Sequence, residues 1–384
     1  MMSTKPSASI TSNKVLIAGS GVIGTSTAFF LAKEFGISTT LIDPSGSIAP
    51  AASGKAGGFL ALDWNDYSSV GPLTRRSFTL HQNIADLLGA STIQYRRLTC
   101  ASIRVGDGSG RPKGRKLEGI EWAEGDNAMA NARSLGDEST IAQVHPKKFC
   151  QRMWEHVQSL TNESSLVKGS VVEAVYEVKD GKKQLVGAKL DDETVLEGDA
   201  LLFACGPWTA DNMFGTKYHS LVVPTTKTLS QCVFFSGFGD PEVYVRPDNT
   251  AYCTGFPDPP VRVTERPGQE EVRSDAIAKI QKSVEMASSM SDDLLLSTVE
   301  DDVLQQACYL PSTADGSPMM GALPDQPQTF VCTGHTCWGI LMGPASGEAM
   351  ANLIARGDSP HVDLTSFDPA RFGSLSMVPQ SSRV

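Results

Sequence analysis

No stretch of the 384-residue sequence comes near the ~20 consecutive apolar residues that a membrane-spanning helix needs. Positive charge is the scarcer sign: 33 Lys and Arg stand against 43 Asp and Glu, a formal charge of −10, which argues against a nucleic-acid-binding surface. Anionic ligands are not excluded, because backbone dipoles can hold them. The eight cysteines form no CxxC pair, and Cys205 and Cys232 sit in apolar runs, as reduced core thiols of the cytosol do. Cys332-Thr333-Gly334-His335-Thr336-Cys337 is not spaced as a zinc motif, so no metal is expected there. There is no G-x-S-x-G elbow or other nucleophile signature, and no internal repeat. Segment 1–13 is polar and Ser/Thr-rich, without the apolar core of a secretory signal. The last residues, Ser-Ser-Arg-Val, are not the usual peroxisomal tripeptide, and the expected location is cytoplasmic.

What is present begins with Gly19-Ser20-Gly21-Val22-Ile23-Gly24, between a strand-like run at 14–18 and an apolar small-residue helix. Asp43 closes a second strand-like run, nineteen residues after Gly24. Each part has a physical role. Gly19 allows the tight turn, Gly21 lets the backbone approach a pyrophosphate, and Gly24 lets helix and strand pack closely. The helix N-terminus faces the phosphates, and the acid can accept hydrogen bonds from ribose hydroxyls. The unit predicts an adenine dinucleotide and at this point admits NAD or FAD.

Periodicity along the chain predicts helices at 70–88, 146–159, 269–290 and 344–356, with Pro146 and Pro344 as starts. It predicts strands at 99–105, 167–178, 185–190, 199–204, 231–235, 242–246, 251–256, 297–309 and 330–333, with Asp180-Gly181 as a hairpin turn. Residues 49–58, APAASGKAGG, read as a loop against which something presses, and 106–116 as an exposed polar loop. βαβ elements at both ends and in the middle, separated by antiparallel-looking inserts, imply one dinucleotide-binding unit of discontinuous segments with a second domain inserted. In the last of these, 333–354, Gly334, Gly339 and Gly343 would let the backbone approach a flat ligand. The helix after Pro344 would point its positive end at that ligand.

GSGVIG with Asp43, the AASGKAGG loop, LLFACGPWT at 201–209, PSTADGSPMMG at 311–321 and CTGHTCWGILMGPASG at 332–347 follow one another in an order that resembles the FAD-dependent D-amino-acid oxidase superfamily. Glycine oxidase, sarcosine oxidase and the amadoriases are members. The resemblance covers about residues 14–356, and the GHTCWGI form with Arg246-Pro247-Asp248 is most similar to the poorly characterised eukaryotic branch linked to endosomal sorting. It implies an α/β fold, with a Rossmann-like FAD-binding domain of segments 14–66, 141–214 and 301–372. An α+β substrate domain with an antiparallel sheet would comprise 67–140 and 215–300, and 1–13 and 373–384 would be flexible tails. It implies FAD, with adenosine near Gly19–Gly24 and Asp43, and pyrophosphate and ribityl against Ala52, Ser53, Gly54, Lys55, Gly57 and Gly58. Val172 would offer its backbone to adenine. Cys205, Gly206 and Trp208 would lie near pyrophosphate and ribityl. Gly334, Trp338, Gly339, Ile340 and Leu341 would line the flavin ring. The implied reaction is oxidation of the C–N bond of a small amine or amino acid by hydride transfer to flavin N5. The alternative is a flavin-binding regulatory or endosomal trafficking protein with little turnover, and a nicotinamide dehydrogenase is a third, weaker reading.

Cys308 stands where some members bond the flavin 8α-carbon, so it is either a covalent anchor or a buried free thiol. Two departures touch the chemistry. The oxygen-activating lysine of sarcosine oxidase-like members is absent after Gly255-Phe256-Pro257; Arg262 is the nearest base there, and Lys227 and Lys55 are other candidates. Phe59-Leu60-Ala61 stand where a substrate-carboxylate arginine is found. Arg246, Tyr252, Tyr309 and Trp338 are the pocket candidates, Tyr244 being a further polar residue on the same strands.

Overall fold

The computed structural model describes residues 14–104, 122, 133–237, 239–287, 293–296, 303–373 and 375–377. Its helices are α1 (Val22–Phe35), α2 (Ala52–Lys55), α3 (Gly71–Leu88), α4 (Pro146–Leu160), α5 (Ser274–Ala287) and α6 (Gly339–Arg356). The loop expected at 106–116 and the 297–302 end of a predicted strand lie outside the described residues.

The central sheet has six strands in the order 319–322, 329–333, 200–203, 14–18, 38–43, 165–168. All its pairs are parallel except 319–322 with 329–333. Its inner strands are short unbroken apolar runs because both faces are covered. Alternate residues point opposite ways. Val15, Ile17, Leu41, Leu202 and Phe330 join the core that α1, α3, α4 and α6 share. Leu16, Ala18, Ile42, Leu201 and Val331 join a second core with Val171, Leu185 and Leu190 of a three-stranded antiparallel sheet, 171–197. The strand predicted at 167–178 is in fact two. Ser165–Lys168 ends the parallel sheet and Val171–Lys179 starts the antiparallel one, with Gly169 N–H donating to the Asp43 carbonyl at the break.

The second large sheet has eight strands. It is antiparallel apart from one parallel pair, Gln231–Ser236 with Thr99–Arg104. Its longest strand, Phe214–Pro224, is not predicted from the sequence; it pairs with 304–312 on one edge and with 250–254 and 260–261 on the other. One face carries Leu221, Val223, Val243, Val245, Ala251 and Cys253, packed with Ile277, Ile280 and Val284 of α5. Helix α5 begins five residues later than periodicity predicts. Part of the expected C-terminal tail packs on the core: Met377 is buried, and the Ser376 carbonyl accepts from Asp211 N–H.

Helix α6 corrects a boundary. It starts at Gly339, with Pro344 inside it. A helix-interior proline lacks the N–H that would bond the carbonyl four residues earlier. Ile340 is that residue, and His81 Nε2 donates to its oxygen at 2.9 Å; beside it Ser77 Oγ accepts from Ala345 N–H at 3.0 Å. Helix α3 thereby makes the proline tolerable, and the N-terminus of α6 lies at Gly339 rather than at Pro344. Small residues let α1 and α6 cross closely: a Cβ on Gly347 would come within 2.5 Å of Ser26.

Candidate functional site

One cleft runs along the C-terminal ends of strands 14–18, 38–43, 200–203 and 329–333, where open α/β sheets bind ligands. Its walls include Gly19, Gly21, Val22, Ile23, Asp43, Ala52, Ser53, Cys205, Gly206, Trp208, Gly339 and Ile340. Residues far apart in sequence therefore share one wall, the fingerprint and the α6 N-terminus among them. Thr333 Oγ1 donates to the Gly206 carbonyl at 2.7 Å and ties two of the lining loops together.

The fingerprint is built as its chemistry requires. Gly19 has φ +104°, and a Cβ there would sit 2.3 Å from the Ala204 carbonyl, so only glycine fits the turn. A Cβ on Gly24 would meet the Gly19 carbonyl at 2.0 Å; this glycine serves packing and lies off the cleft wall. Ser53 Oγ accepts from Val22 N–H at 2.9 Å at the start of α1. The Asp43 carboxylate is buried, accepting from Ser20 Oγ at 2.9 Å and Ser45 Oγ at 2.7 Å.

Other predicted site residues support the wall from behind. Gly54 packs on the Ala49 carbonyl, Gly58 on the Val144 carbonyl and Gly334 on Thr313. Gly57 lies against Tyr244 and Tyr252, where a Cβ would collide with both rings. Lys55 Nζ reaches the Ala307 carbonyl at 2.8 Å and the buried Glu270 carboxylate at 3.4 Å. Gly169, Ser170 and Val171 reach the wall, with Val172 the next residue along. Leu341 is in the helical core. Trp338 stands between the lining residues Cys337 and Gly339, edge-on to Trp64 at 6.2 Å. Cys308 is buried opposite Tyr218, two residues before the lining Leu310, and burial pushes its thiol up to about 12 against the pull of Lys55. Tyr309 points away from Cys308, onto Trp208 and Val263. Tyr252 is buried and stacked on Tyr244, ring centroids 5.7 Å apart. Arg246 is 6% exposed, donates to the Ala56 carbonyl at 3.1 Å, and leaves Nε without a partner among the described residues.

Sequence reasoning did not single out residues 265–267, which cross the cleft in a segment anchored by Trp208 Nε1 donating to the Thr264 carbonyl at 2.7 Å. Arg266 is the one Lys or Arg among the lining residues, which also include Asp43 and Glu265. Its guanidinium stands 3.6 Å from Asp191. Of the bases considered for oxygen activation, Arg262 is exposed and Lys227 pairs with Asp293 at the surface. His335, a buried residue of the lining, bonds Ser346 Oγ at 2.9 Å, and desolvation holds its pKa down near 4. Among the described residues no group of three or more His, Cys, Asp or Glu side chains is placed to hold a metal ion. No helix among them is long and apolar enough to cross a membrane.

The donor set fits a dinucleotide. A Cβ on Gly206 would meet nothing within 4 Å, and one on Gly339 only His335 at 3.8 Å, so both glycines open on the cleft space. The buried acid and the α1 terminus lie together, as adenosine and pyrophosphate require.

Comparison with known proteins agrees. A Schizosaccharomyces pombe protein named as an oxidoreductase without a stated substrate is 31% identical, over 95% of this chain and 99% of its own. Glycine oxidase from Geobacillus kaustophilus superposes with a TM-score of 0.71 at 17% identity, covering 93% of this chain and 98% of its own. L-proline dehydrogenase from P. horikoshii gives 0.71 at 16%, covering 94% and 97%. At these identities the structural likeness is one of fold. The family model described as FAD dependent oxidoreductase (DAO) matches residues 14–353, and the chain belongs to that family.

Proposed function

We propose that this protein is an FAD-dependent oxidoreductase that oxidises the C–N bond of a small amine or amino acid. The observation that carries it is one cleft lined both by Gly19–Ile23 and Asp43 and by Gly339 and Ile340. Bound FAD would supply the hydride acceptor, and the protein position and electrostatics. Asp43 and the α1 terminus would hold the adenosine and pyrophosphate end, with Arg266 as the cation on the phosphates. The α6 terminus at Gly339 would lie by the redox end, where its positive dipole stabilises developing negative charge. Hydride leaves from the neutral amine, so a substrate bound as ammonium first gives up its proton to a nearby acceptor or to water, and turnover does not need a catalytic dyad.

The test is the visible spectrum of the pure protein, then anaerobic addition of amines and amino acids. Bleaching, reversed by air or another acceptor, supports the proposal; a colourless protein that binds NAD overturns it. Acid precipitation decides the linkage, since a yellow pellet that Cys308→Ala turns colourless makes Cys308 the anchor. The occupied state of Lys55 and the exposed positions of Lys227 and Arg262 favour a second reading, a flavoprotein with little turnover. Yellow protein that no substrate bleaches would favour it.

A further inference from the structure

The face of the eight-stranded sheet turned away from α5 has an unusual composition. Phe234 pairs with Glu242, Glu242 with Thr254, Tyr244 with Tyr252, and Tyr218 with Cys308. Directly paired residues share a face. This face is therefore aromatic and polar, while the opposite one is aliphatic and packed on α5.

The rings form a continuous group. Phe59 lies 5.1 Å from both Trp64 and Phe234 and 5.5 Å from Tyr244, and Trp64 lies 5.1 Å from Phe234. The group touches two residues next to the cleft lining in sequence: Trp338, between the lining Cys337 and Gly339, lies against Trp64, and Gly57, beside the lining Ala56, lies against Tyr244. Phe234, Trp64, Tyr244 and Glu242 all keep part of their surface open.

Glu242 is the carboxylate in this setting. It accepts from the Tyr244 hydroxyl and has no ion-pair partner among the described residues. Burial raises its pKa, and so does Asp240, while the tyrosine lowers it. Arg246, next but one after Tyr244 in the same row, is turned under Ala56 and covered. The position where an arginine for a substrate carboxylate was sought holds Phe59-Leu60-Ala61, and Phe59 is one of the rings.

We propose that this face recognises a cationic amine without a carboxylate, Glu242 facing the ammonium and the rings of Phe59, Trp64, Phe234 and Tyr244 surrounding it. A cation over aromatic faces is attracted by their quadrupoles, the more so when desolvated. A substrate carboxylate here would meet Glu242, which has no ion-pair partner among the described residues to offset it. The assignment rests on the cleft being an FAD-dependent amine or amino-acid site, and it narrows the substrate class of that site.

The experiment uses FAD-loaded protein and three ligands: benzylamine, phenylglycine, which adds a carboxylate to the same skeleton, and benzyltrimethylammonium, which is not oxidised. Binding of the last is read by tryptophan fluorescence. Benzylamine is expected to bind at least about tenfold tighter than phenylglycine, and Glu242→Gln to weaken benzyltrimethylammonium about tenfold, by the loss of one desolvated charge contact. Phe234→Leu keeps an apolar side chain without the ring and is expected to weaken the same cation several-fold. Unchanged FAD content and circular dichroism establish that each variant is folded. Tighter phenylglycine than benzylamine, or cation binding indifferent to both substitutions, overturns the proposal while leaving an amino-acid oxidoreductase standing. Cation binding that both substitutions weaken, with no bleaching by any amine or amino acid, upholds the recognition and removes the redox reading.

Discussion

His81 Nε2 lies 2.9 Å from the carbonyl oxygen of Ile340, the oxygen that Pro344 leaves without its helical donor. The acceptor is a carbonyl, so the ring must carry its proton on Nε2. Both groups are buried. Losing the donor strands a buried carbonyl, which costs about 1–3 kcal/mol. His81→Leu should lower the unfolding free energy by that amount, read as a lower urea midpoint with little change in slope. Adding Pro344→Ala, which restores an N–H to the helix, should recover much of the loss in a double-mutant cycle.

Two buried imidazoles, His81 and His335, and the half-buried His145 share a pH dependence. Desolvation holds His81, His145 and His335 down to about 4, with Arg246 and Lys148 adding to the effect at His145. Their folded pKa values lie below the unfolded ~6.5, so between these limits the unfolded chain binds more protons. The stability they contribute is complete above pH ~6.5 and is lost as pH falls toward 4. Unfolding midpoints measured from pH 7.5 to 4 should fall most steeply in that window. His335→Asn should flatten the slope there, and an unchanged slope would exclude His335 as a contributor.

Gly24→Ala places a Cβ 2.0 Å from the Gly19 carbonyl. The turn beneath the proposed adenosine site must then shift. The expected result is purified protein with much lower FAD content, read as the ratio of visible to ultraviolet absorbance. Gly36→Ala, at the far end of the same helix with φ +64° and open space around its Cβ, should retain FAD at some cost in stability.

Arg266→Ala should weaken FAD binding to apoprotein about tenfold, the worth of one charge-assisted hydrogen bond of ~1.5 kcal/mol. The loss should shrink as ionic strength rises, because the contact is partly exposed. Affinity that does not change on substitution would remove Arg266 from the phosphate site.

The sequence was most legible where a signal is local. The run 14–43 carries strand, turn, helix and acid within one βαβ unit, and the structure reproduces it at Lys14–Ala18, Val22–Phe35 and Ser38–Asp43. Helix α6 was misread because proline ordinarily marks a first turn. What allows Pro344 inside the helix is His81, more than 250 positions away. The strand 214–224 was missed because Lys217 and His219 interrupt its apolar character, and the two neighbours that pair with it are remote in sequence.

By itself the sequence determined the βαβ dinucleotide fingerprint of 14–43 and, through five ordered motifs, which superfamily the chain resembles. Glycine spacing and strand-end acids follow from short-range backbone geometry. Only the tertiary structure decided which side chains face the ligand. It withdrew Arg246 under Ala56, engaged Lys55 with Ala307, and brought Arg266 over the cleft. It aligned Phe234, Glu242 and Tyr244 with Phe59 and Trp64. These outcomes depend on strand register and on loops that cross between sheets, where a shift of one residue would turn every side chain to the other face.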